Sequence, residues 1–528
     1  MGLEIKTEGA VETWSMTKPA VIADTGLVAS QHYLASEAGA QVLRDGGNAI
    51  DAAVTASFAI GAVEPWMSGL GGGGYMLVYL ARERRVWAVD FGMVTARGLD
   101  PADYPLIEGR GSDLFNWPAV VDDRNLRGYP SMAVPTHVAG MALALETFGT
   151  RTWAEVLAPA IGLARAGMAV DWYATLKIAA AARDLDRFPE SRRVYLPDGY
   201  APAAEWGGPL PRIYLGRLTE TLLQLAQAGS RDFYEGDIAC AIIADLSAGG
   251  SKLQVADLAD YRARVLPVEP FDYRSAKVFS APGLTAGPTL RRALSLLGQR
   301  LQPDAQPQAH AYIAYARSLQ EAYAERLAIL GDSNESAASP SCTTHISVVD
   351  NDGNMVALTQ TLLSVFGAKV MLPQTGILMN NGMMWFDPRP GRPNSIAPGK
   401  RPLSNMCPTI VERRDGVRFA MGASGGRRIM PAVYQLISFL VDYDMSIDAA
   451  FCQPRLDVSG TDTVMLDNRL SADIQDAIRK SFSAQTVQHG VYPAYFACPN
   501  VIGRETESGR NCGCAFIMSP WAKVASAD

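Results

Sequence analysis

The sequence predicts a mixed α/β fold of layered helices and sheets, on three observations. Residues 31–63 carry small-residue helical patterning. A glycine run, Gly71 to Gly74, then enters an apolar hairpin. At Thr343 a helical stretch that has turned small and polar changes abruptly into a second hairpin.

In the first region Leu34, Ala35, Ala38, Val42 and Leu43 recur near a 3.6-residue period, and Gly46-Gly47-Asn48 ends the run as a C-cap does. Asp51 then opens a second, Ala-rich helix through about Val63. Next, Ser68 to Gly74 leads into Tyr75-Met76-Leu77-Val78-Tyr79, and an arginine-rich turn at 82–85 leads into Val86 to Phe91, a hairpin pattern. A phosphate loop runs from strand into helix and carries a Lys followed by Ser or Thr. Here glycine precedes a strand and no such lysine follows, so the glycines point instead to close backbone packing beneath an active site.

From about 150 to 330 the pattern is mainly helical with Pro and Gly breaks, and residues 302–307 precede a long helix reaching about Leu330. The composition of 331–342 predicts a mobile, exposed segment. Thr343 to Asp350 reads as a strand, Asn351-Asp352-Gly353-Asn354 as a turn, and Met355 to Leu362 as the return strand. The exposed segment thus ends where a hairpin begins, a position suited to chain cleavage.

Composition excludes several function classes. A net charge of −7 argues against a nucleic-acid partner, which would want a basic stripe, and no block of like charge suits an anionic membrane. No run of 18 apolar residues occurs, and Met1 to Ala20 lacks a signal-peptide core, so a cytoplasmic location is expected. Seven cysteines, odd in number and thinly spread, read as reduced thiols rather than a disulfide framework. Cys498, Cys512 and Cys514 match no zinc spacing, and the five histidines are scattered, so neither a metal nor a cofactor is expected.

The chemistry centres on Thr343. A threonine hydroxyl is a weak nucleophile without a base beside it. Cleavage before Thr343 would free its α-amino group, with a pKa of about 7.7–8.0, to take the hydroxyl proton. One cut therefore supplies nucleophile and base together.

Several long motifs in order make the resemblance specific. Asp45-Gly46-Gly47-Asn48-Ala49-Ile50-Asp51-Ala52-Ala53, Gly71 to Gly74, Thr343-Thr344-His345-Ile346-Ser347-Val348-Val349-Asp350, Gly376-Ile377-Leu378-Met379-Asn380-Asn381, Arg401-Pro402-Leu403-Ser404 and Gly425-Gly426 together resemble the γ-glutamyltranspeptidase family, from about residue 21 to the C-terminal region. The resemblance implies a four-layer αββα N-terminal-nucleophile sandwich. It also implies a proenzyme cut into a large chain, 1–342, and a small chain, 343–528, with a dimer of such heterodimers as one assembly. Thr361 matches the family's second threonine, which orients the nucleophile. The N–H groups of Gly425 and Gly426 match its oxyanion hole, a device in which losing one donor costs roughly 3–4 kcal/mol. His345, two residues along the same strand face, reads as structural rather than as a base.

Departures from the family redirect the substrate. Where the family holds a γ-glutamyl zwitterion with an arginine, an asparagine and an acidic residue, this chain has Gly92, Leu363 and Trp385. Gly382 replaces a polar residue, and the family's Ser-Ser pair becomes Ser404-Asn405. Each unpaired polar group costs about 1–3 kcal/mol, and more if charged, so γ-glutamyl binding should be lost. Arg427 adds a cation beside the glycine pair, suiting a carboxylate on a short acyl group; Arg97 is a second candidate for that role. The expected substrate is a small anionic amide such as oxamate. The alternatives are a γ-glutamyl hydrolase or transpeptidase acting on glutathione, a glutaryl-type acylase, and a non-catalytic scaffold.

Overall fold

The computed structural model describes residues 16–111, 115, 117–330, 343–459, 462–492 and 494–528. The expected mobile segment 331–342, with Cys342, lies outside the described residues.

Two seven-stranded antiparallel sheets form the centre. The first runs Lys523–Ser526, Leu27–Ser30, Thr344–Val349, Met355–Thr361, Gly73–Leu80, Arg85–Phe91, Arg264–Val268. The second runs Val21–Ala23, Asn511–Ala515, Cys498–Arg504, Arg418–Ser424, Thr409–Glu412, Ala276–Ser280, Phe271–Tyr273. Each sheet takes strands from both sides of position 343, so 1–342 and 343–528 are interleaved rather than side by side.

Strand alternation builds the four layers. Ile346, Val348, Val356 and Leu358 leave the first sheet outward and pack with the helices Tyr33–Arg44, Ala49–Val63, His137–Phe148 and Trp153–Ala166. Phe419, Met421 and Ala423 leave the second sheet on its far side, under Gly287–Arg300, Ala309–Leu330 and Ile429–Val441. Between the sheets, Leu77, Ala357, Ile410, Ala420 and Ile502 share a third apolar cluster. The result is the αββα sandwich.

The helix pair at 33–63 follows the sequence pattern, with one correction. The second helix starts at Ala49, and Asp51 is its third residue, closing a capping box with Asn48. Both Asp51 oxygens also accept from Thr150, so the Asp45-to-Ala53 motif is structural. The region 150–330 is less uniformly helical than expected. Arg264–Val268, Phe271–Tyr273 and Ala276–Ser280 are strands, and two of them are sheet edges. Edge strands are short, half-exposed and tolerant of Pro267, so they lack the alternation that marks inner strands.

Candidate active site

The hairpin Thr344–Val349 and Met355–Thr361 pairs Thr344 with Gln360. Alternation then sends Thr343 and Thr361 together toward the space between the sheets, and Thr344 and Gln360 toward the helices. Thr343 Oγ1 donates to Thr361 Oγ1 at 3.3 Å. The Leu363 N–H donates to the same Thr361 oxygen at 2.8 Å. Leu363 reaches it from a left-handed conformation, φ 86°, unusual for a bulky residue. Asn381 holds this turn: its N–H donates to Leu362 O at 3.1 Å, and its side-chain oxygen accepts from the Ser364 N–H at 3.0 Å.

The outward pair is gripped from below. Ser68 Oγ donates to Thr344 Oγ1 at 3.2 Å, and Gln360 Nε2 donates to Ser68 Oγ at 3.1 Å. Gln360 Oε1 accepts from Ser57 and lies 3.1 Å from His137 Nε2. All these side chains are buried, and burial lowers His137 to about 4, so it is neutral. The network fixes the neighbours of both site threonines.

The glycine run lies flush on the site strand. A Cβ on Gly72 would strike the Thr361 carbonyl, and one on Gly74 the Thr359 carbonyl. Only glycine allows that approach.

The second sheet brings Gly425 and Gly426. A Cβ on Gly422 would strike the His345 ring, and Gln31, beyond the strand beside Thr344–Val349, donates from Nε2 to Ser424 Oγ. These two contacts set the strands in register across the sandwich, so Gly425 emerges at the edge where Thr343 begins. Gly425 has φ 138° and Gly426 φ 58°, conformations that favour glycine. Among the described residues neither N–H donates to a protein acceptor. His345 sits behind the site. It bonds to Thr359 Oγ1 at 2.9 Å and Ser347 Oγ at 3.0 Å, and burial lowers its pKa to about 3. It is a structural histidine.

The expected substrate positions separate. Leu363 and Trp385 are buried in the inter-sheet cluster with Met384, Phe115 and Trp117. The Arg427 guanidinium lies over Phe115 and Trp117, 5.1 and 5.4 Å from the ring centroids. Gly92 is buried: a Cβ there would meet the Tyr75 hydroxyl at 2.5 Å, and its carbonyl accepts from Tyr261. Ser404 and Asn405 meet a buried arginine. Ser404 O and Asn405 Oδ1 both accept from buried Arg326, which also donates to Thr285 O and Thr289 Oγ1. Burial lowers Arg326 to about 10, and these oxygens brace it. Arg97 is exposed and paired with Asp260 at 2.5 Å. Arg401 pairs with Asp90 at 2.7 Å, which gives the Arg-Pro-Leu-Ser motif a structural task.

Sequence reading missed Ser68, Gln360, Arg326 and the Phe115–Trp117 pair. Their partners lie from 37 to 312 residues away, and no local pattern marks them.

The γ-glutamyltranspeptidase family model matches residues 35–341 and 333–508. An acylase proenzyme of a Pseudomonas species is 34% identical over 479 residues, covering 84% of each chain. A glutathione hydrolase proenzyme of Escherichia coli is 30% identical over 494 residues, 82% of this chain and 81% of that one. The cephalosporin acylase structure from Bacillus halodurans superposes over 99% of both chains with a TM-score of 0.84, at 22% identity, a likeness of fold. With the family pattern matched along nearly its whole length, this chain belongs to the γ-glutamyltranspeptidase family of N-terminal-nucleophile amide hydrolases.

Proposed function

We propose that the protein cuts its own chain before Thr343 and then hydrolyses a small anionic amide, oxamate being the simplest, through an acyl ester on Thr343. The observation that carries this reading is the pairing of Thr343 with Thr361 at 3.3 Å, beside acyl-side positions occupied by Leu363 and Trp385 rather than charged groups.

In the first step the Thr343 hydroxyl attacks the carbonyl of residue 342. The C–N bond breaks, and water hydrolyses the resulting ester. The 1–342 and 343–528 chains then stay together, because both sheets are built from both. In turnover the freed α-amino group takes the hydroxyl proton as Oγ1 attacks the amide carbon. The N–H groups of Gly425 and Gly426 hold the oxyanion. The amine leaves with the proton from the Thr343 ammonium. Water, deprotonated by the Thr343 α-amino group, attacks the ester carbon; the C–Oγ1 bond breaks, the acid is released, and the proton passes from the α-ammonium to Oγ1, restoring Thr343. For oxamate the products are ammonia and oxalate.

Arg427 and Arg389 both lie over Trp117, Arg427 also over Phe115, so a cation stands beside the acyl-side aromatics, and the bulk of Trp385, Phe115 and Trp117 favours a short acyl group. A second reading, an acylase for a longer acyl group, is favoured by the acylase relative and opposed by the bulk of Trp385. Ammonia release from oxamate and from glutamine, with glutathione hydrolysis in parallel, separates the readings. Oxamate turnover alone supports the short acyl pocket; turnover of the γ-glutamyl compounds alone overturns it.

A further inference from the structure

Directly after Thr361 the chain folds into a tight turn that ends at Lys369. Leu363, Phe366 and Lys369 have φ 86°, 61° and 68°, and Gly367 between them has φ 50°. Left-handed backbone is costly for a residue with a Cβ, and three such residues in one short turn persist only where their surroundings hold them. The apolar side of the turn is held by Phe366, which is fully buried with its ring centroid 5.8 Å from that of Trp66 and 5.0 Å from that of Tyr195.

The polar side closes on one lysine. Lys369 Nζ donates to Ser364 Oγ at 3.1 Å, to Gly367 O at 3.2 Å and, at closer range, to Val365 O. An ammonium carries three N–H donors, so the turn supplies an acceptor for each of them. Hydrogen bonds to a charged group are roughly twice as strong as neutral ones. Ser364 Oγ also accepts from Asn381 Nδ2 at 2.9 Å and donates to Gly367 O at 3.0 Å. At its other end the turn presents the Leu363 N–H, whose acceptor is Thr361 Oγ1. A continuous path thus runs from Lys369 through Ser364 and Leu363 to the hydroxyl bonded to Thr343.

We propose that Lys369 is a positioning residue for the reaction at Thr343: its ammonium closes the turn that aims the Leu363 N–H at Thr361 Oγ1, and so sets where Thr343 Oγ1 stands. Lys369 acts through the backbone of the turn, not on the substrate. The inference rests on the reading of Thr343 as the nucleophile of amide cleavage.

The test compares the wild-type full chain with Lys369→Met and Lys369→Gly. Glycine adopts φ 68° freely, so the second variant removes the cation while relieving the backbone, and it keeps the test open if the methionine variant folds poorly. Hydrogen exchange by mass spectrometry reads the peptide 362–369, and kinetics read turnover of oxamate or glutamine, whichever the wild type hydrolyses. In both variants the peptide should exchange about tenfold faster, while the strand Thr344–Val349 keeps its protection, which a general loss of stability would not allow. The kcat value should fall about tenfold with KM little changed, as for a misplaced reacting group. Unaltered exchange in 362–369 overturns the proposal. So does faster exchange with wild-type kcat, a change in KM alone, or a Lys369→Gly variant with wild-type behaviour. If the wild type cleaves neither itself nor an amide, faster exchange in the variants keeps the link from Lys369 to Thr361 and overturns the amide-cleaving reading alone.

Discussion

Thr343 donates to Thr361 at 3.3 Å, and the Leu363 N–H donates to the same Thr361 oxygen at 2.8 Å, so one hydroxyl orients the nucleophile and pins a left-handed turn. Thr361→Ala removes both bonds. Processing should slow and amide turnover fall roughly 10- to 100-fold, the scale of a misplaced reacting group, with KM little changed. Time-resolved intact mass and steady-state kinetics measure the two effects. Wild-type rates in this variant would remove Thr361 from the site.

Ser68→Ala breaks the link between Thr344 and Gln360 and leaves two buried groups short of a partner. Stability should drop by about 1–3 kcal/mol, with slower processing. Denaturant unfolding and intact mass check this. An unaltered midpoint would mean the network does not hold the hairpin.

Gly72→Ala places a Cβ against the Thr361 carbonyl, backbone that cannot swing aside. The variant should accumulate as uncut or insoluble chain, visible by gel. Normal processing would show that the glycine run is not in close contact with the site strand.

Burial raises Glu64 from 4.5 to about 8, partly opposed by Lys177. The folded state therefore holds this proton to higher pH than the unfolded chain. The associated stabilisation is complete below about 4.5 and is lost as pH rises through about 8. Glu64→Gln lacks that loss. Between pH 5 and 9 it should gain stability relative to wild type, on the order of a few kcal/mol at the upper end. Parallel stability–pH curves for the two proteins would mean Glu64 ionises normally.

Trp385→Ala should open the acyl side of the inter-sheet cluster. The kcat/KM ratio for a glutaryl amide over oxamate should rise by about tenfold or more, the scale of a few methylene groups admitted to an apolar pocket. An unmoved ratio would take Trp385 out of acyl selection.

The inner hairpins and the helix pair were legible in the sequence because their periods and turn residues are local: Gly46-Gly47-Asn48, Asn351-Asp352-Gly353-Asn354, and the alternation through Thr344–Val349. The αββα order rested on resemblance, since no local pattern says that Gly422 meets His345 across two sheets. The edge strands near 264–280 were hidden by Pro267 and partial exposure. At the site, Thr343, Thr361 and the glycine pair stand in family motifs. Gly92, Ser404 and Asn405 were expected as substrate positions from the family pattern alone. In this chain Tyr75 covers the first, and Arg326 engages the other two.

The most direct measurement is the intact mass of the purified protein beside its Thr343→Ala variant. The wild type should appear as two chains meeting between Cys342 and Thr343, and the variant as one chain of 56.7 kDa without amide turnover. A variant cut at the same bond, or a wild type that stays whole and still cleaves amides, would contradict Thr343 as the nucleophile.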